Sequence, residues 1–254
     1  MMKAEHDRAL AEAFDNQAER FEVAPVQSNP EALASLVRFA DLPPGSRVLD
    51  AGCGPGLVSE SFLKAGHSVL GVDLSAEMVA RARKRGMEYG DRATFIQGSI
   101  YGNIPGDCFD AAVSRYVVHH VTDPLKFIER QCALLRPGGI LIVCDHATDP
   151  EPLLADRHER LERDRDSTHT RNLTSRALAD LLASAGLWRI RLEEEEFTLD
   201  FNEWFDRGTP AAPKESVRAR LLSGPSIRGF QPTLLPDGSV RIDCVRALVR
   251  GVKR

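Results

Sequence analysis

The 254-residue chain is predicted to fold as an α/β protein: seven strands in a mostly parallel sheet, helices on both faces, and helical cap segments. Three observations predict it. From residue 47 onward, short apolar runs alternate with helical periods. The runs are apolar throughout rather than at every second residue, as in strands covered on both faces. A glycine-rich turn, Gly52-Cys53-Gly54-Pro55-Gly56, joins the first run to the helix after it.

Residues 5–22 read as an amphipathic helix, with Leu10, Ala13, Phe14, Gln17, Ala18 and Phe21 at helical spacing. Asn29-Pro30 caps a second helix that carries Leu33, Leu36 and Val37 on one face. After Pro43-Pro44-Gly45 come strand 47–51, helix 56–65 and strand 68–72. A helix capped by Ser75 then runs to about Arg85. Strands follow at 93–97 and 111–114, then a helix at 124–135 that stops at Arg136-Pro137-Gly138-Gly139, and a strand at 140–145. Residues 147–172 are irregular and dense in charge. Thr174 caps the helix that follows, and Gly186 ends it. A strand at 188–199 is expected to be interrupted by Glu193–Glu196, a solvated edge. Residues 201–237 read as a helical and loop insertion before the last strand, 239–249. Residues 1–40 form an expected N-terminal helical lid. Residues 41–254 form one domain with cap insertions at about 147–172 and 201–237.

Composition narrows the function classes. Hydrophobic residues make up 43% and the net charge is −4, so nothing draws the chain globally to nucleic acid or anionic membranes. The five cysteines are scattered without zinc spacing, so reduced thiols and no metal site are expected. Residues 1–20 alternate charges without an apolar core, and the longest apolar runs are a few residues. A cytoplasmic protein without a membrane span is therefore expected. The sequence fixes no oligomeric state and is compatible with a homodimer.

The glycine loop takes a ligand or is a plain turn. A dinucleotide fingerprint would want its third glycine at position 57, where Leu57 stands. Asp50 just before the loop is also unhelpful beside a pyrophosphate and suits a cationic ligand.

The stretch Val48–Gly56 closely resembles motif I of class I S-adenosylmethionine (SAM)-dependent methyltransferases. Gly71-Val72-Asp73-Leu74-Ser75, Gln97-Gly98-Ser99-Ile100, Phe109–Val113 with Val117–Val121, and Leu135–Gly139 agree with that family in order and spacing. Within it the chain is most similar to the group of ubiquinone and menaquinone biosynthesis methyltransferases (methyltransferase type 11). The resemblance covers residues 45–145 well. It implies a Rossmann-like fold that binds SAM and releases S-adenosylhomocysteine.

It also implies a cofactor site: Asp50, Gly52, Cys53, Gly54 and Gly56 in the loop, and Asp73 accepting bonds from the ribose. Leu74 and Met78 would give apolar contact, Gly98, Ser99 and Ile100 the adenine site, and Ser114 and Arg115 the end of strand four. Ser99 departs from the Asp common there. The acceptor is expected above strands four and five, beside Tyr116, His120, His146, His169 and Arg171. His119 is the candidate general base, since imidazole titrates near neutrality. In the tract 162–171, Glu162, Arg165, Asp166, His169 and Arg171 match a segment recurring in one branch of the family.

No Asn/Asp-Pro-Pro-aromatic run follows strand four, where Ser114-Arg115-Tyr116-Val117 stands, and there is no Pro-Cys nucleophile. Both argue against nucleic-acid methylation. The expected reaction is methyl transfer by in-line displacement to a small organic acceptor, at oxygen, carbon or nitrogen. The alternatives are a SAM-binding regulatory protein without turnover and non-methyl chemistry at the sulfonium.

Overall fold

The computed structural model describes residues 3–106 and 108–254; Met1 and Met2, at the start of the expected lid, lie outside the described residues. The chain opens with helices α1 (Lys3–Val23), α2 (Pro25–Ser28) and α3 (Pro30–Ala40). Asn29 caps α3 by accepting from the Ala32 N–H at 3.0 Å, with Pro30 in the first turn. α3 packs Leu36 and Phe39 against Val48, Phe62 and Val69 and so belongs to the sheet's helical layer. Of the expected lid, α1 is the part that covers a cleft.

Alternation then begins as expected: β1 (Arg47–Ala51), α4 (Leu57–Lys64), β2 (Ser68–Asp73), α5 (Ala76–Gly86), β3 (Ala93–Gln97), β4 (Phe109–Arg115), α6 (Pro124–Leu134) and β5 (Leu135–His146). Side-chain caps start three helices: Ser75 on Met78 N for α5, Asp123 on Lys126 N for α6, and Thr174 on Ala177 N for α8 (Ser175–Ser184). The charged tract holds a helix, α7 (Pro152–Arg165), where irregular chain was expected.

β6 (Trp188–Asp200) runs unbroken through Glu193–Glu196, each residue paired to β8 (Val240–Val252). The expected interruption is absent because β6 is an edge strand with a wet face, where glutamates need not be buried. Residues 201–237 hold α9 (Phe201–Asp206), α10 (Lys214–Ser223) and an eighth strand, β7 (Phe230–Leu234). The reason for β7 lies in pairing. β5 ends at His146, opposite Arg246, which leaves Val240–Cys244 of β8 without a neighbour on that side. β7 takes that place, from Phe230↔Cys244 to Leu234↔Val240, and satisfies backbone groups that would otherwise be orphaned.

The sheet order is β3-β2-β1-β4-β5-β8-β6, parallel through β5 and antiparallel at β8. Strand residues alternate between two cores. Leu49, Ala112, Leu141 and Val143 pack under α6 and α8, with Ile128 and Leu178. Val48, Ala111, Val113 and Ile142 pack under α3 and α4. A third core gathers Leu161, Phe201, Trp204, Val217, Phe230 and Ile242 from the late elements. The strand order reverses between β1 and β4, so a crevice opens at their carboxyl ends.

Candidate active site

At the end of β1 the chain turns through Gly52 (φ +78°) and Gly54 (φ +52°). Gly52 and Cys53 donate to the Val72 carbonyl at 2.8 and 3.1 Å, which lays the loop across the end of β2. A side chain at Gly52 would strike Val117, with Cβ only 2.6 Å from its Cγ2, so the loop and the end of β4 approach as glycine alone allows. A Cβ at Gly54 would meet open space. Asp73 is fixed by two backbone donors, Gly54 N at 2.8 Å and Ser75 N at 2.9 Å. Each carboxylate oxygen keeps capacity for a further bond. Asp50 is buried and accepts from the Ser59 hydroxyl at 2.6 Å; burial pushes its carboxyl up to about 7.

These residues line a deep cleft, roofed by Leu10, Phe14 and Phe21 of α1. Asp50, Gly52, Cys53, Gly54, Asp73, Leu74, Met78, Gly98, Ser99, Ile100 and Arg115 all border it, together with Tyr116 and His120. Gly56 does not. It caps α4, and a Cβ there would stand 3.1 Å from Ala82, so this glycine serves helix packing. Ser114 is fully buried in β4, away from the cleft. Arg115 borders the cleft, but its guanidinium donates to the Val26 and Gln27 carbonyls and so holds α2 in place.

The cleft fits SAM. Its charged walls are chiefly carboxylates, its one lining arginine is already bonded, and apolar side chains flank Asp73. A cationic sulfonium nucleoside suits such a surface, whereas a pyrophosphate would find no free cation among the described lining residues.

Beyond Tyr116 and His120 lies a second, much smaller and tighter chamber, which shares both residues with the cleft. Tyr116 sits at the join in a left-handed conformation (φ +59°), uncommon for a bulky side chain. Its ring stacks on His146, centroids 4.5 Å apart, and its hydroxyl accepts from Arg246. His119 and His146 line the chamber. The His119 Nδ1 lies 2.5 Å from Asp145 Oδ1. Asp145 also accepts from the backbone of Val118 (2.7 Å), His119 (3.3 Å) and His146 (2.8 Å), so its carboxylate is held on every side.

Burial opposes charge on His119, but Asp145 overcomes it and leaves that imidazole above its ordinary value. Burial, and then repulsion by His119, push His120 and His146 down to about 3. Of these three adjacent rings, His119 alone is raised.

Two expected acceptor residues lie outside both cavities. His169 is buried against Glu159, its Nε2 3.1 Å from Oε2. The Arg171 side chain is exposed; its backbone N–H, with that of Thr170, donates to the His119 carbonyl. Both belong to the segment that braces the histidine turn. Sequence reasoning missed Asp145, although an acid followed by His146 at a strand end was a readable signal. It also missed Asn172 and Arg207 of the chamber, for which no local signal exists.

A family model described as a methyltransferase domain matches residues 26–190. The chain belongs to this family and is a SAM-dependent methyltransferase. It is 28% identical over 247 residues to the uncharacterized methyltransferase YcgJ of Bacillus subtilis, covering 95% of this chain and 98% of that one. The crystal structure of YcgJ superposes with a TM-score of 0.78 over 88% of this chain and 98% of that one, at 26% identity. A ubiquinone biosynthesis O-methyltransferase of Vibrio parahaemolyticus is 34% identical over 148 residues, 55% of this chain and 63% of that enzyme. The fold is also that of a Burkholderia thailandensis 1,6-didemethyltoxoflavin N1-methyltransferase bound to S-adenosylhomocysteine (TM-score 0.62, 18% identity, 100% of this chain and 91% of that one).

Proposed function

We propose that the enzyme methylates a small organic acceptor seated in the inner chamber, at an oxygen, activated ring carbon or nitrogen that gives up its proton to His119. The observation that carries this reading is the buried His119–Asp145 pair, facing a chamber that opens beside the cofactor cleft. Bound SAM supplies a methyl group already activated on sulfur for in-line displacement. The protein's work is then positional. Asp73, Asp50 and the glycine loop orient the donor, the chamber orients the acceptor, and such orientation is worth about 7–11 kcal/mol. α1 and the late elements (α7, α9, α10 and β7) act as lid and cap and exclude water.

With Nδ1–H committed to Asp145, Nε2 is the nitrogen free to accept a proton. Among the described residues it has no hydrogen-bond partner. The chamber's small volume and flat Tyr116 and Trp204 walls favour a compact ring over a polymer, so no nucleic-acid partner is expected.

His119→Ala should lower kcat by ~10²–10⁴ while SAM affinity, measured by calorimetry, stays constant. A base must be neutral, so kcat/KM of the wild type should climb with pH through the raised His119 value. That acid limb should vanish in the variant. A loss below about fivefold, or SAM binding lost in step with turnover, would return His119 to a positioning role.

A further inference from the structure

The wall of the inner chamber carries two guanidiniums and a single carboxylate, with Asp166 and Glu203 approaching them from outside it. The guanidiniums are those of Arg165 and Arg207, and the carboxylate is Glu162. Glu162 is already engaged. It lies 3.6 Å from both Arg165 NH1 and His158 Nε2 and accepts from Trp204 Nε1 at 3.3 Å. Arg165 is likewise tied down, donating from Nε to the Trp204 carbonyl at 2.8 Å and meeting Asp166 at 3.5 Å.

Arg207 is different. It is buried, yet its only hydrogen bond runs from Nε to the Glu203 carbonyl at 3.2 Å, with a 3.8 Å approach to the Glu203 carboxylate, whose Oε1 is buried and has no hydrogen-bond partner. Its two terminal amino groups have no hydrogen-bond partner among the described residues. Asn172, 3% exposed, lines the same chamber, and its amide nitrogen and oxygen are both unpartnered. Burial and the neighbouring Arg165 pull the Arg207 guanidinium down to about 10, against the opposing pull of Glu203. Buried donors left unpaired are costly, and a buried cation without an anion more so.

We propose that Arg207 and Asn172, backed by Arg165, are the seat of a carboxylate on the methyl acceptor, so that the substrate class is a small, flat organic acid. This rests on the chamber being the acceptor site. With Asp166 and Glu203 already close to the two guanidiniums, a monoanion suits this wall better than a phosphate dianion, which would leave buried negative charge uncompensated. The planar fork of arginine matches the two oxygens of a carboxylate. Tyr116 and Trp204 border the same chamber.

The test uses the full chain saturated with S-adenosylhomocysteine, so that no turnover is needed. 3,4-Dihydroxybenzoate, 3,4-dihydroxybenzamide and phenyl phosphate serve as probes in calorimetry. The acid should bind about 10- to 100-fold more tightly than the amide, and Arg207→Met should erase that preference. Arg207→Lys, which keeps the charge if Met disturbs folding, should retain part of it. Asn172→Asp, which sets a like charge beside the carboxylate, should abolish acid binding with amide binding kept. Equal binding of acid and amide by the wild type, an undiminished preference in Arg207→Met or in Asn172→Asp, or tighter binding of phenyl phosphate would overturn the proposal. Failure of the general-base reading would look different: acid binding intact and His119→Ala still turning over.

Discussion

The two cavities are built by opposite means. The cofactor cleft is walled by glycines, backbone amides and apolar side chains at the ends of β1, β2 and β4, with two carboxylates among them. The chamber behind it is walled by residues gathered from α1, α2, the turn after β4, β5, α7, β6, α9 and the segment before α8, three of them histidines. One site is a property of how a parallel sheet ends; the other is a property of what has been laid over that end. The first can serve any reaction that uses the same donor. If the acceptor sits in the second, as proposed, that chamber carries what distinguishes this enzyme from its relatives.

Acidity should separate the two most. His120 and His146 are held neutral down to about 3 in the folded protein, whereas an unfolded histidine takes its proton near 6.5. The unfolded chain therefore gains protons first as pH falls, and stability present above pH 6.5 should drain away between 6.5 and 3, by several kcal/mol in all. The His119 effect has the opposite sign: its share is complete below 6.5 and fades as pH climbs through its raised value. Urea unfolding from pH 7 to pH 4 reads the sum, and His146→Asn should flatten its slope. A flat profile in the wild type would mean the chamber is wetter than its burial implies.

Next in size is the cleft. Asp73→Ala should weaken SAM binding by about 1.5–3 kcal/mol, a 10- to 150-fold loss, while leaving the pH–rate acid limb in place. Unchanged affinity in calorimetry would remove Asp73 from the ribose; a shifted acid limb would blur the division between the cavities.

The smallest effect concerns the roof. Glu22 of α1 pairs with Arg81 at 2.6 Å and Arg85 at 2.7 Å, all three partly exposed. Glu22→Ala should cost ~0.2–1 kcal/mol and speed hydrogen exchange across residues 5–22 by less than about fivefold, with added salt mimicking it in the wild type. Exchange that quickens equally in the loop at 52–56 would show that roof and cleft open as one unit.

The contrast also explains what was legible in the sequence. The cleft comes from contiguous stretches whose chemistry depends on local backbone needs: glycine where φ is positive, an acid at a strand end, a capping hydroxyl at Ser75. The apolar stripe of α1 was equally plain, and so was its place in a lid; Leu10, Phe14 and Phe21 roof the cleft. The chamber joins His119, Asp145, Arg165, Asn172 and Arg207, spread over about ninety residues and aligned only by tertiary packing. His169 and Arg171 looked like pocket residues because their types suit one, yet folding turned the first toward Glu159 and the second to solvent. β7 escaped notice because the demand for it, an unpaired stretch of β8, exists only once the sheet is assembled.

The glutamate run of β6 bears on the molecule's life in a crowded solution. An edge strand offers a row of unsatisfied amides and carbonyls to any passing strand, the usual start of aggregation. Here the side chains along that row include Glu193, Glu194, Glu195 and Glu196. A second copy docking antiparallel along this edge would bring carboxylates against carboxylates, an arrangement that like-charge repulsion disfavours. Glu194 and Glu195 are meanwhile held by Arg228 and Arg246, so the guard is anchored rather than loose. Growth of the sheet at this edge is therefore disfavoured.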